Sequence, residues 1–358
     1  MQYAWYLFLT LLFCSISQTA WTQAGCTDPQ ATNYNSNATE NDGSCTYPTT
    51  SYELTSLAQL PPALYENSGL AYMDGAMWTH VDSDGANALY QIDASNGALL
   101  KTVFIQNAAN TDWEDLAYDG NYVYIGDFGN NKGMRTDLSI YRIAKEVLVN
   151  ALDQANLVAE LIMFSYREQT SFDNQEEVTP YDCEAFFAAN DSLHLFTKNW
   201  GERKTAHYII PTEPGIYEVS AVEELNAGFL ITAADINPSG KEALLLGYNL
   251  SLSDPNTYMW LLSDFEGSRF FSGNKRKISL GSLLSSGQLE AVAYTEDNAG
   301  YIASEFFNQF PFNIPARIFS FDTEAWRSVS TSIVGGEGAN AVSFYPNPTT
   351  KTLYIKVE

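Results

Sequence analysis

One short pattern recurs five times along the chain and limits what it can fold into. The copies are Ser68-Gly-Leu-Ala-Tyr72, Glu114-Asp-Leu-Ala-Tyr118, Glu184-Ala-Phe-Phe-Ala188, Thr232-Ala-Ala-Asp-Ile236 and Glu290-Ala-Val-Ala-Tyr294. Each runs into a turn (Asp74-Gly75, Asp119-Gly120, Asn190-Asp191, Pro238-Ser239-Gly240, Asp297-Asn298) and then into a second apolar segment. Repeats of several strands at a period of roughly 40–50 residues are the signature of a β-propeller. The chain therefore reads as all-β, a five-bladed propeller over residues 50–328. The step from Glu114 to Glu184 is longer, at 70 residues. Its insertion reads as a helix over residues 145–159 and has room for a sixth blade. Residues 52–60 lack a first-strand partner, and the expectation is that they close the ring as the outer strand of the last blade, removing an open edge.

The repeats also define a candidate site. A residue before a hairpin turn faces its mirror position after it. The second strands end in register on Asp82, Asp127, Asn199, Asn249 and Glu305, at separations of 14, 13, 15, 17 and 15 from the first-strand position. In a propeller all these ends gather at one mouth of the central channel. Ser68, Glu114, Glu184, Thr232 and Glu290 would form one circle there, with the second set beside it. Carboxylate and amide oxygens are what hard cations such as calcium take. The expected metal ligands are Glu114, Glu184, Glu290, Asp82, Asp127, Asn199, Asn249 and Glu305. The bland alternative is that turn-flanking Asp and Asn cap their own backbone. Arg135 and Lys198 are candidate ligand-binding cations near the mouth, and salt bridges to the acidic ring explain them equally well.

Charge and cysteines narrow the class. Against 43 acidic residues stand 18 basic ones, a formal charge of −25. Nucleic acid and anionic membranes need a basic patch, so neither is an expected partner. Residues 4–14 form an apolar run too short to span a bilayer, followed by small residues. Residues 1–24 thus read as a secretory signal cut after Ala24, leaving no transmembrane segment in the mature chain. A lipoprotein reading would instead acylate Cys26 or Cys14. Cys26 and Cys45 bracket a short polar segment and are expected to form a disulfide, leaving Cys183 as a buried structural thiol. No phosphate-binding glycine loop is present.

Three stretches resemble known families. Gly25-Cys-Thr-Asp-Pro-Gln-Ala-Thr-Asn-Tyr-Asn35, closing on Asp42-Gly-Ser-Cys45, closely resembles a module of exported Bacteroidota proteins, here residues 25–47. Phe344-Tyr-Pro-Asn-Pro348 followed by Leu353-Tyr-Ile355 resembles the opening of the C-terminal sorting domain read by the type IX (Por) secretion system. That family's domain is a small β-sandwich, and residues 342–358 match only its start, after a linker at 329–341. The resemblance implies the secretion machinery as a partner and a secreted or outer-surface location. Within the repeats, Trp78-Thr-His-Val-Asp82, Asp112-Trp-Glu-Asp-Leu-Ala117, Ile125-Gly-Asp-Phe-Gly-Asn-Asn131 and Tyr181-Asp-Cys-Glu-Ala185 are similar to exported Bacteroidota propellers. More distantly they resemble SdiA-regulated and esterase-like phytase propellers.

Two functions stay open on these grounds. One is an exported binding or surface module for an extracellular ligand, with calcium at the mouth. The other is a calcium-dependent hydrolase of phytase, esterase or lactonase type, with Glu114, Glu184 or His80 as base.

Overall fold

A computed structural model describes residues 22–327, apart from Asp84, Leu252 and Phe310, together with two short strands at Val342–Pro346 and Leu353–Val357. Those two strands pair as an antiparallel hairpin. Most of the signal reading and the linker at 329–341 lie outside the described residues.

Alternating apolar positions and tight turns build five antiparallel sheets. Blade I holds Asn67–Met73, Ala76–Val81, Ala88–Ile92 and Leu99–Ile105 from the inside outward. Blade II holds Trp113–Tyr118, Tyr122–Asp127, Ser139–Ala144 and Glu160–Tyr166. Blade III holds Cys183–Ala189, Ser192–Thr197, Thr205–Pro211 and Glu223–Leu225. Blade IV holds Leu230–Ile236, Glu242–Tyr248, Asn256–Ser263 and Asn274–Ser282. Blade V holds Leu289–Tyr294, Ala299–Ser304 and Arg317–Asp322, and takes Thr55–Gln59 from the start of the chain as its outer strand. Each innermost strand packs on that of the next blade, and the fifth packs on the first. The molecule is a five-bladed propeller, closed as residues 52–60 led us to expect.

The inner hairpins turn where the sequence places them. Asp74 and Gly75 both have positive φ, as do Asn190 and Asp191, the backbone hand that suits a two-residue hairpin. The apolar cores lie between blades: Trp78, Trp113 and Ile125 fill the gap between I and II, while Phe128, Phe186 and Tyr208 fill that between II and III.

The insertion between the second and third repeats is a correction. A helix covers only Lys145–Val149. Gln154 has φ 63°, and Ala155–Leu157 then pairs in parallel with the outer strand of blade I. The remainder supplies the fourth strand of blade II, so no sixth blade exists among the described residues. The same device recurs. Gly215–Val219 pairs in parallel with the outer strand of blade II just before the chain enters the outer strand of blade III. Thr50–Ser51 does so on blade IV just before blade V is completed. A short strand lies along the previous blade's edge each time, covering main-chain groups that would otherwise be open.

The Cys26–Cys45 disulfide is formed and Cys183 is buried and free. The loop it closes is held against the outer edge of blade IV and the end of blade V. Asn41 Nδ2 donates to Asp264 at 2.7 Å and to Asn274 at 2.9 Å, and Lys275 Nζ donates to the Gly43 carbonyl at 3.2 Å. Arg276 donates to Gln30 and lies over the Tyr47 ring. Gln23 and Ala24 belong to this unit as well, since Thr39 N donates to Gln23 O and Ala24 pairs with Glu40. Among the described residues no helix is long and apolar enough to cross a membrane.

Candidate functional site

Every innermost strand carries a one-residue bulge near its start. The extra residue is Gly69, Glu114, Glu184, Thr232 or Glu290. A bulge interrupts the ladder and re-aims a side chain, and in blades II, III and V it aims a glutamate into the mouth. Those three carboxyls are each about 95 % buried or more. Ser68 and Thr232 do something else: their hydroxyls donate to the Glu114 and Leu289 carbonyls of the neighbouring blades, stapling I to II and IV to V.

The charges at the mouth divide into served and unserved halves. Lys198 Nζ lies 3.0 Å from Glu184 and over the rings of Trp200 and Tyr248. Burial alone would lower its pKa, but Glu184, Tyr248 and Glu290 together hold it well above the usual ammonium value. Glu290 accepts the Tyr248 hydroxyl at 2.8 Å and feels the same ammonium. Arg135 serves Asp127 at 3.0 Å and also donates to the Gly129 carbonyl.

Among the described residues no such cation meets Glu114. Its carboxylate lies beside Asp82 and Asp112, with one oxygen from each of the three within 4.8 Å of the others. Among the described residues no donor reaches the Glu114 carboxylate. Burial first, then the charges of Glu184, Asp82 and Asp112, push it well above the usual carboxylate range. Burial and the Asp82 charge push Asp112 up to about 7. Glu305 is raised by burial and by Glu290, with Asp82 adding to it. The backbone makes room on one side only at a glycine: a Cβ on Gly129 would fall 2.0 Å from Glu114 Oε1 and 2.5 Å from Asp112 Oδ2.

The remaining expected site residues are placed elsewhere. Asn199 accepts the Glu202 N–H, and Asn249 accepts the Ser251 N–H while donating to Asp254, so both close local turns. His80 is fully buried between blades I and II, edge-on to Trp113, with Nδ1 on the Val81 carbonyl, and burial lowers its pKa to about 4. Asp112 and Asp182 were missed. The signal for them is a doublet two residues ahead of the bulge: Asp112-Trp-Glu114, Asp182-Cys-Glu184 and Gln288-Leu-Glu290. Asp182 accepts the Trp200 indole at 2.7 Å and the Asn130 N–H at 2.6 Å, fixing the ring that covers Lys198.

Deeper in the ring one carboxylate joins three blades. Asp115 of blade II is fully buried and accepts N–H groups from Leu116, from Phe186 of blade III and from Ala234 of blade IV.

No family model matches the sequence, and no curated protein matches it. Solved structures with a similar course include the PQQ-bound aldose sugar dehydrogenase of Streptomyces coelicolor, at 9% identity and TM-score 0.43, covering 76% of this chain and 97% of that one. The hydrazine synthase of Kuenenia stuttgartiensis is similar at 13% identity and TM-score 0.36, covering 67% and 55%. The RRP9 WD40 repeats are similar at 8% identity and TM-score 0.36, covering 72% and 67%.

Proposed function

We propose that the protein is an exported binding module whose propeller mouth takes up calcium at Asp82, Asp112 and Glu114. One observation carries this reading: a carboxylate about 95 % buried, Glu114, has two further carboxylates beside it and, among the described residues, no donor or cation. A buried charge without a partner is costly, and Lys198 and Arg135 are already committed to other members of the ring. Three carboxylate oxygens with solvent or main-chain oxygens completing the shell are a hard-cation donor set. The closed disulfide supports an oxidising compartment. The secretion machinery would be its partner during export, and an unidentified extracellular molecule its ligand at the surface. A calcium-dependent hydrolase is the weaker reading. It needs a free base at the mouth, whereas Glu184 is tied to Lys198, His80 is packed away, and Glu114 is taken up as a calcium ligand in this reading.

Thermal melting with calcium and with chelator tests the proposal. Binding to the folded state alone stabilises by about 2.7 kcal/mol at a hundredfold excess over Kd, so the two melts should differ by several degrees. Glu114→Gln should remove that difference while raising the melting point in chelator. A melt indifferent to calcium in the wild type would show that the ring is hydrogen-bonded structure only.

A further inference from the structure

At the end of the channel opposite the acidic mouth lies a cavity of about 340 Å³, reached by the far ends of all five inner strands. The buried Asp115 carboxylate and its three N–H partners tie blades II, III and IV together nearby. Its walls mix polar and apolar groups in about equal share, with Leu70, Leu116, Tyr72, Tyr118 and Tyr294 beside Asn237 and Thr295, and among the described residues no lysine, arginine or histidine contributes. Two carboxylates do. Asp119 is consumed by its own turn, accepting the Asn121 and Tyr122 N–H groups and the Tyr124 hydroxyl. Asp235 accepts one N–H on each oxygen, from Ile236 at 2.8 Å and from Tyr294 at 2.7 Å, which leaves each oxygen a further lone pair. It has no cation beside it, and burial pushes its carboxyl up to about 7.

From this geometry we infer that the cavity is a binding site for a small organic ammonium, with Asp235 as counter-ion. Cavities of ~300–1,000 Å³ with a few placed polar groups are the usual form of small-ligand sites, and an ammonium is drawn to a carboxylate that has no cation beside it. A metal ion would find one carboxylate here where the opposite mouth offers three. An anion would meet no positive group.

Isothermal titration of the chelator-treated full chain with benzylammonium, benzyl alcohol and benzoate tests this, independently of calcium at the mouth. Benzylammonium should bind at least tenfold more tightly than the neutral alcohol, and benzoate should not bind. Thr295→Arg sets a guanidinium in the cavity wall without touching Asp235, and should abolish binding while the protein melts as a folded chain. Asp235→Asn should weaken benzylammonium and leave benzyl alcohol unchanged. Equal binding of amine and alcohol would overturn the ammonium assignment, and so would absence of binding. Retention of binding in Thr295→Arg, or displacement of the amine by calcium, would place it at another site and overturn the assignment of this cavity.

Discussion

Asp112 and the buried histidines respond to pH in opposite senses. The Asp112 carboxyl is raised to about 7 in the fold, against about 3.9 in an unfolded chain. Its stabilising contribution is therefore fully present below about pH 4 and lost as the pH rises through 7. In chelator, Asp112→Asn should match the wild type near pH 4 and exceed it increasingly toward pH 8, read as urea midpoints; a constant difference across that range would contradict the charge account. The histidines form a chain in blade III. His194 Nε2 lies on the Ala189 carbonyl, His194 Nδ1 lies 2.9 Å from His207 Nε2, and His207 Nδ1 lies 3.0 Å from Glu223. A carbonyl only accepts, so His194 must donate from Nε2, and the shared contacts then need one proton each. Burial lowers His194 to about 4 and lowers His207 as well. Their contribution is present above pH 6.5 and lost as the pH falls toward 4. Replacing His207 with Phe strands the His194 Nδ1 and leaves Glu223 with the Phe271 N–H, and should cost about 1–3 kcal/mol at neutral pH, with the penalty shrinking in acid.

Within the elements, the hairpins were legible because alternation and Asp-Gly or Asn-Asp turns act locally. The bulges were not, because one extra residue changes which backbone groups pair without altering the apolar pattern. Asp82 joins Asp112 and Glu114, while Asn199 and Asn249 close local turns just past their strands. The helix expected over residues 145–159 stopped early for a different reason. The outer strand of blade I offers unpaired main-chain groups there, and Ala155–Leu157 bonds to them; local propensity carries no record of that distant edge. Gly69 is where the bulge is tightest. Its φ is 67°, and a Cβ would sit 2.7 Å from both the Leu116 N and His80 Nε2. Gly69→Ala should lower stability by about 1–3 kcal/mol, measured by urea unfolding; a neutral result would mean that the first blade relaxes away from the second.

At the scale of the whole molecule, the disulfide unit is bolted to blade IV and to the end of blade V rather than tethered. Its loop spans 19 residues of sequence separation, and opening it should cost about 3 kcal/mol in the chain-entropy model. Cys26→Ser with Cys45→Ser should therefore lower the melting temperature of the propeller itself, and a propeller melt unmoved by the substitutions would show that the unit is only appended. The ring has one seam, where Thr55–Gln59 meets Arg317–Asp322. During synthesis the earlier partner emerges more than 250 residues before the later one. Until then the nascent chain is an arc with a bare margin at each end, competent to join its own tail or a neighbour's.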